Sequence, residues 1–276
     1  MSLLRRLAKN RNGLVGLILV STYVLVALLS PWITPHDPLT MHIKNRLEGP
    51  SQTFLLGTDD YGRDTLSRLL VGARNSLKLA MMAVVFSAIV GSILGIAAGY
   101  LGGWFDTVVM RMVDILFAFP GIVLALLFVA ALGPSEENVM WAIVIRSIPT
   151  YARTSRGPTL SVKAEEYITA IRSVGAGSGR IIMRHILPNV MAPIIVQTSL
   201  ALSTGVLTDA TLSFLGLGIQ PPAPSWGSMV SQARANIEFA PWTAIFPSAA
   251  IALVVLGFNL LGDGLRDTLD PRLRKG

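Results

Sequence analysis

Long uninterrupted apolar runs decide most of what this chain can fold into. Residues 13–33, 77–100 and 242–261 carry almost no charge. A bilayer core about 30 Å thick is crossed by roughly 20 mostly apolar helical residues, and these runs have that length. Three further segments come close, at residues 107–132, 139–156 and 190–211. The segment at 139–156 is the weakest, because Arg146, Pro149 and Arg153 interrupt it. The expectation is an all-α polytopic membrane protein with six transmembrane helices. Composition agrees: 14% of residues are charged and mean hydropathy is +0.59, against roughly a quarter charged in a soluble domain.

The first run resembles the core of a secretory signal, since Arg5, Arg6, Lys9 and Arg11 precede it. It continues to about Leu29 without a small-x-small cleavage site, longer than a signal core, so a retained helix is expected. The absence of cysteine excludes a disulfide framework, thiolate metal sites and a Cys nucleophile.

A net charge of +7 invites a nucleic-acid reading, but the basic residues lie in short blocks beside apolar runs, the pattern that orients membrane proteins. With six spans, both termini and the connection at residues 149–188 share one side. That side holds more than half of the 23 basic residues, among them Arg153, Arg156, Lys163, Arg172, Arg180, Arg184 and Arg266. The positive-inside rule makes it cytoplasmic, with Glu136, Glu137 and the stretch at 216–241 outside.

Small residues recur every four positions at Ala83, Ser87, Gly91, Gly95, Gly99 and Gly103. Such a stripe lets two helix backbones approach closely in lipid, so packing rather than a substrate path is expected there.

The connection at 160–189 is too polar to span, yet it reads as two short helices. Glu165 and Glu166 stand where a helix start favours negative charge. Gly175, Gly177 and Gly179 offer a break with positive φ. A second helix follows over residues 180–187, and Pro188 begins the next span, where its missing N–H does no harm. Such a cytoplasmic hairpin is a docking surface in expectation.

Its residues carry a specific resemblance. Glu166, Tyr167, Ala170, Arg172, Gly175 and Ala176, then Arg184 through Asn189 with Leu187-Pro188, are similar to the "EAA" loop of permeases in binding-protein-dependent ABC importers, in its peptide/nickel version. Thr169, Ile171 and His185 depart from the general form of the motif. Further matches run along the chain to the "C" permeases of dipeptide, oligopeptide and nickel importers. They are Pro35-His36-Asp37-Pro38; Leu56-Gly57-Thr58-Asp59 with Gly62-Arg63-Asp64; residues 213–218 with Ser225-Trp226-Gly227; and residues 258–267 with Leu269-Asp270-Pro271-Arg272.

The resemblance implies a type I ABC importer permease fold in the bacterial cytoplasmic membrane. Residues 1–75 would hold the first span and an external segment, and residues 76–276 a five-helix core. It implies small-peptide import, with nickel, metal chelates or glutathione as alternatives. It further implies a homologous "B" permease as heterodimer partner, an external binding protein, and two ATPase subunits. Those subunits would bind ATP and Mg, this chain holding no cofactor, metal or catalytic residue. The chain has no Gly-Lys pair and so no phosphate loop; the energy is expected to enter through the coupling residues Glu166, Tyr167, Ala170, Arg172, Gly175, Ala176, Leu187 and Pro188.

Gln197, Thr204, Thr208 and Thr211 share a helix face, with Asp209 nearby. They either line an aqueous path or supply interhelical hydrogen bonds. Ionisable residues inside spans are functional candidates because lipid disfavours them. Asp114 is expected to pair with Arg111 three positions earlier, or else with Arg146. Asp59, Asp60, Arg63, Asp64 and Arg68 form a charge cluster that caps the second span's helix or meets the binding protein. An intramembrane enzyme finds little support, with no H-E-x-x-H motif and no cysteine in the chain. A secondary transporter usually shows internal repeats, and none is evident. Transport in liposomes would exclude a mere scaffold.

Overall fold

The computed structural model describes residue 7 and residues 10–269, all helix and connection, with no strand among them. The terminal motif at 270–272 and the basic residues Arg5, Arg6, Lys9, Arg272, Arg274 and Lys275 lie outside the described residues. Helix α1 is Arg11–Ile33, begun by Asn10, whose Oδ1 accepts from the Gly13 N–H at 3.1 Å. Helix α2, Thr65–Leu101, has 37 residues and is about 55 Å long. Helices α3 (Gly103–Ala118) and α4 (Gly121–Leu132) meet at an 89° bend. Pro120 sits at that break, where it cannot donate to a continuing helix.

Helix α5 spans Glu136–Lys163 and the short α6 spans Glu166–Ser173. Helix α7 runs without interruption over Ser178–Phe214, passing through a π turn at Ile182–Ile186. Helices α8 (Trp226–Ala233) and α9 (Trp242–Leu269) complete the described chain.

The glycine stripe explains how α2 and α5 meet. A Cβ on Gly91 would lie 2.6 Å from Tyr151 Cβ, and one on Gly95 2.2 Å from the Ala152 carbonyl oxygen. At Gly99 it would press on Thr159 at 3.0 Å. Contact therefore advances in the same direction on both helices, which makes them parallel. Gly103, at φ +56°, meets nothing and does not belong to the seam.

Two parallel neighbours need a return path, and the bent pair supplies it. Asp106 bonds Arg156, Asp114 bonds Arg153, Gly121 packs on Arg146, and Val129 shares a core cluster with Val139 and Ile143. The chain through α3 and α4 thus meets α5 in reverse order, returning along it despite the bend.

A second small-residue seam joins α1 to α9. A Cβ on Gly16 would lie 2.3 Å from the Leu261 nitrogen, and one on Gly264 2.4 Å from Gly13 Cα. Sequence reading singled out only the α2 stripe, because these glycines are spread over two distant helices.

Among the described residues four helices are long and apolar enough to cross a membrane: α1, α2, α7 and α9. The bent α3–α4 pair makes a fifth if it counts as one span. The expected sixth, at 139–156, lies in α5 and falls short by composition. Glu136, Glu137, Arg146, Arg153, Arg156 and Lys163 all lie on that helix. One face of it is nevertheless deeply buried: Val139, Ile143, Tyr151 and Ala152 have no exposed surface.

Candidate functional site

The two ends of α2 mark two distinct structures. At its start, Asp64 caps the helix by accepting from the Ser67 N–H at 3.0 Å and the Ser67 hydroxyl at 2.5 Å. Asp59 Oδ2 binds Arg63 Nε at 2.7 Å and lies 3.3 Å from Arg68 Nε. Both guanidinium groups also donate to Gln232 Oε1 on α8, at 3.1 and 3.4 Å. Arg63 and Arg68 are buried. The charge cluster is therefore an internal clamp between the segment before α2, α2 itself and α8, and Gln232 is a member that sequence reading missed. Burial, with neighbouring Asp59 as the lesser cause, pushes the Asp60 carboxyl above the ordinary aspartate range. Trp242 Nε1 donates to the Thr58 carbonyl at 3.2 Å, tying the start of α9 to the same knot.

The far end of α2 meets the hairpin of α6 and the start of α7. Glu166 in the first turn of α6 and Arg172 in the last both complement the helix dipole. Ile168 anchors α6, fully buried in a cluster with Ile181, Ile186, Val190, Tyr100 and Tyr151. The helix then ends in a Schellman turn. The Ala176 N–H donates to the Ile171 carbonyl at 3.2 Å, and the Gly175 N–H to that of Arg172 at 3.0 Å. Gly175 sits at φ +88°, a conformation costly for any residue with a Cβ. Gly177 and Gly179 do not share that role; Gly177 precedes α7 at φ −68° and Gly179 lies within it.

This geometry sorts the expected coupling residues. Glu166, Tyr167, Ala170, Arg172, Gly175 and Pro188 are exposed, while Ala176 and Leu187 are half-buried against the cluster. Val174 stands at the tip with 85% of its surface exposed. Tyr167 and His185 bring the two halves of the motif together, their ring centroids 6.0 Å apart. Pro188 does not begin a new helix as expected. The π turn shifts the pairing so that the Leu187 N–H reaches the Ile182 carbonyl, and the helix passes its proline without stopping.

Helix α7 carries the hairpin's second arm directly into the bundle. Gln197 lies between two cavities. One, of about 760 Å³, includes Thr154, Asn189, Pro193 and Arg266. The other, of about 330 Å³, includes Arg146, Thr150, Tyr151 and Thr204. Thr211 borders a separate groove with Phe214, Val230 and Ile251. Thr208 and Asp209 are interior. Thr208 donates to the Thr204 carbonyl at 2.7 Å, and Asp209 Oδ1 accepts from the Ser213 hydroxyl at 3.2 Å. The structure thus brings Gln197 and Thr204 to one cavity and parts them from Thr208, Asp209 and Thr211. Arg146, Thr150 and Tyr151 join that cavity from α5, a helix whose facing side sequence spacing alone does not reveal.

Asp114 pairs with neither Arg111 nor Arg146. Its Oδ1 accepts from Arg153 Nη2 at 2.6 Å, reaching α5 across the bundle. Antiparallel packing of α3 on α5 selects the partner, which no local spacing encodes.

Residues 91–275 match the family described as binding-protein-dependent transport system inner membrane component, and residues 2–50 the N-terminal TM domain of oligopeptide transport permease C. The chain is 47% identical to the dipeptide transport system permease protein DppC of Alkalihalophilus pseudofirmus, over 98% of this chain and 89% of that protein. It is 45% identical to the glutathione transport system permease protein GsiD of Pectobacterium atrosepticum, over 98% and 90%. Its fold is similar to that of the MetNI methionine ABC transporter in inward-facing conformations, with TM-score 0.56 and 17% identity over 72% of this chain and 97% of that one. An amino acid ABC transporter crystallised with histidines gives TM-score 0.57 and 17% identity over 73% and 94%.

Proposed function

Because this chain belongs to the binding-protein-dependent transport system inner membrane component family, a family of transport permeases and not of enzymes, we propose that it forms part of the path by which small peptides cross the bacterial cytoplasmic membrane. The observation that carries this reading is the exposed α6–α7 hairpin, built on a helix that continues without interruption to the cavity wall at Gln197. A neighbouring ATPase subunit, holding ATP and Mg, seats the surface around Glu166, Tyr167, Ala170 and Arg172. Its closure on nucleotide moves α7 and alternates access to the cavities.

In this reading the hairpin and both termini face the cytoplasm, in accord with the basic residues gathered there. The knot around Asp59 faces outward, toward a binding protein. Helix α5 is the sixth crossing element. Its charges are tolerated because α2, α4 and α7 cover it and its arginines meet aspartates or a polar cavity rather than lipid. A homologous permease closes the open side of both cavities.

Dipeptides are the preferred cargo, following the name of the relative at 47% identity. Glutathione, itself a small peptide, is the second reading, supported by the relatives named for it at 45%. Nickel draws no support from these relatives. The test is ATP-driven uptake into liposomes holding the complete transporter, with dialanine and glutathione offered separately and in competition. Uptake of neither, with ATP hydrolysis intact, would sink the peptide reading.

A further inference from the structure

The cavity bounded by α3, α4, α5 and α7 holds a cation that has no counter-charge among the described residues. Arg146 is the eleventh residue of α5, about 15 Å along the helix from Glu136, and is half-buried there. Among the described residues it makes no hydrogen bond and no ion pair. No acid lines the cavity among the described residues, and the two aspartates of α3 that face α5 pair elsewhere on it, Asp114 with Arg153 and Asp106 with Arg156. A guanidinium so placed is retained only where water, a partner or a ligand meets it.

The surroundings suit a ligand. The cavity of about 330 Å³ is at the lower end of the range for small-molecule sites. Its wall offers Thr150, Gln197 and Thr204 as neutral hydrogen-bonding groups and Phe117 and Phe119 as apolar surface. Gly121 makes room for the cation: a Cβ there would lie 2.7 Å from Arg146 Nε. The broken backbone at Phe119 borders the same space, and non-helical backbone at membrane depth is tolerated where it faces protein or a wet cavity.

We infer that Arg146 receives the carboxylate of a small peptide passing through this cavity, with Gln197 and Thr204 contacting the peptide's neutral groups. A guanidinium binds a carboxylate through two parallel hydrogen bonds, which selects it over an amide of the same shape. The inference rests on the peptide-import reading and adds a chemical requirement to it.

The chain has no cysteine, so Thr204→Cys provides a single reactive site on this subunit beside Arg146. In the complete transporter without binding protein, maleimide labelling of that cysteine is followed with dialanine or its C-terminal amide present. Dialanine is expected to slow labelling and the amide is not. R146Q is expected to weaken the protection by about tenfold or more, with R146K retaining part of it. Equal protection by acid and amide, no protection by either, or full protection in R146Q would each overturn the inference. If R146Q fails to co-purify with its partners while R146K protects no less than wild type, Arg146 holds a subunit contact and the inference again fails. Uptake of dialanine is measured in parallel. Uptake that survives R146Q refutes the carboxylate site alone, whereas its absence in the wild type refutes the peptide reading itself.

Discussion

Arg156 and Asp106 face each other through two parallel hydrogen bonds, Nε to Oδ1 and Nη2 to Oδ2, each 2.5 Å long. Together with the Arg153–Asp114 pair three residues earlier on α5, they lash α3 to α5. The two pairs differ in kind. Arg153 and Asp114 meet through one hydrogen bond with their side chains 51% and 52% exposed, against 32% and 17% for Arg156 and Asp106.

Double-mutant cycles on thermal unfolding of the purified transporter are therefore expected to rank them. The coupling between Arg156 and Asp106 should exceed that between Arg153 and Asp114, which an exposed pair limits to about 1 kcal/mol. Equal couplings would show that the bidentate geometry does not form.

The α2–α5 seam makes a steric prediction. Gly95→Ala places a methyl 2.2 Å from both the Ala152 carbonyl oxygen and Ser155 Oγ. A loss of about 1–3 kcal/mol is expected from overpacking, and Gly95→Leu should prevent assembly. Gly157→Ala, on α5 with open space around it, is the control and should be neutral or mildly stabilising. A well-folded Gly95→Leu protein would mean the helices do not meet there.

Gly175 makes a local one. At φ +88° any side chain is strained, so Gly175→Ala should cost roughly 1–2 kcal/mol in the turn. Hydrogen exchange at the Gly175 and Ala176 amides is expected to accelerate, because those donors close the Schellman turn onto Arg172 and Ile171. Under the proposed function, ATP hydrolysis should also become less responsive to the binding protein. Gly177→Ala, at an ordinary φ of −68°, should leave the exchange rates of that turn alone.

Asp60 sets a pH dependence. Its carboxyl titrates above the ordinary aspartate range because it is partly buried and stands beside Asp59. Folding therefore disfavours its charged form, and the penalty is full above the folded value and gone below the unfolded one. Asp60→Asn is expected to raise the melting temperature at neutral pH. That gain should shrink as pH falls and vanish below about pH 4, the ordinary aspartate value. A gain independent of pH would assign the effect to packing.

Hydropathy and small-residue spacing made much of this fold legible. The runs in α1, α2, α7 and α9 follow from the bilayer's demand for apolar length, and the glycine stripe of α2 foretold a close helix seam, though not that α5 is the partner. The hairpin was legible through Gly175 and the residues around it. Three features were not. Arg153 as the partner of Asp114 depends on which helices lie side by side. The continuity of α7 through Pro188 depends on a π turn, whereas proline by itself argues for a boundary. The division of Gln197 and Thr204 from Thr211 depends on where α5 and α8 press on α7, and one helix's periodicity cannot contain its neighbours' positions.

The unbroken course of α7 has a mechanical corollary. Gln197 stands about 28 Å along the helix from Ser178, so under the proposed function the helix acts as a lever joining the hairpin arm to the cavity wall. A tilt of about 10° pivoting at the hairpin would carry Gln197 sideways by about 5 Å over that length, enough to open or shut a passage of molecular width without any helix unwinding.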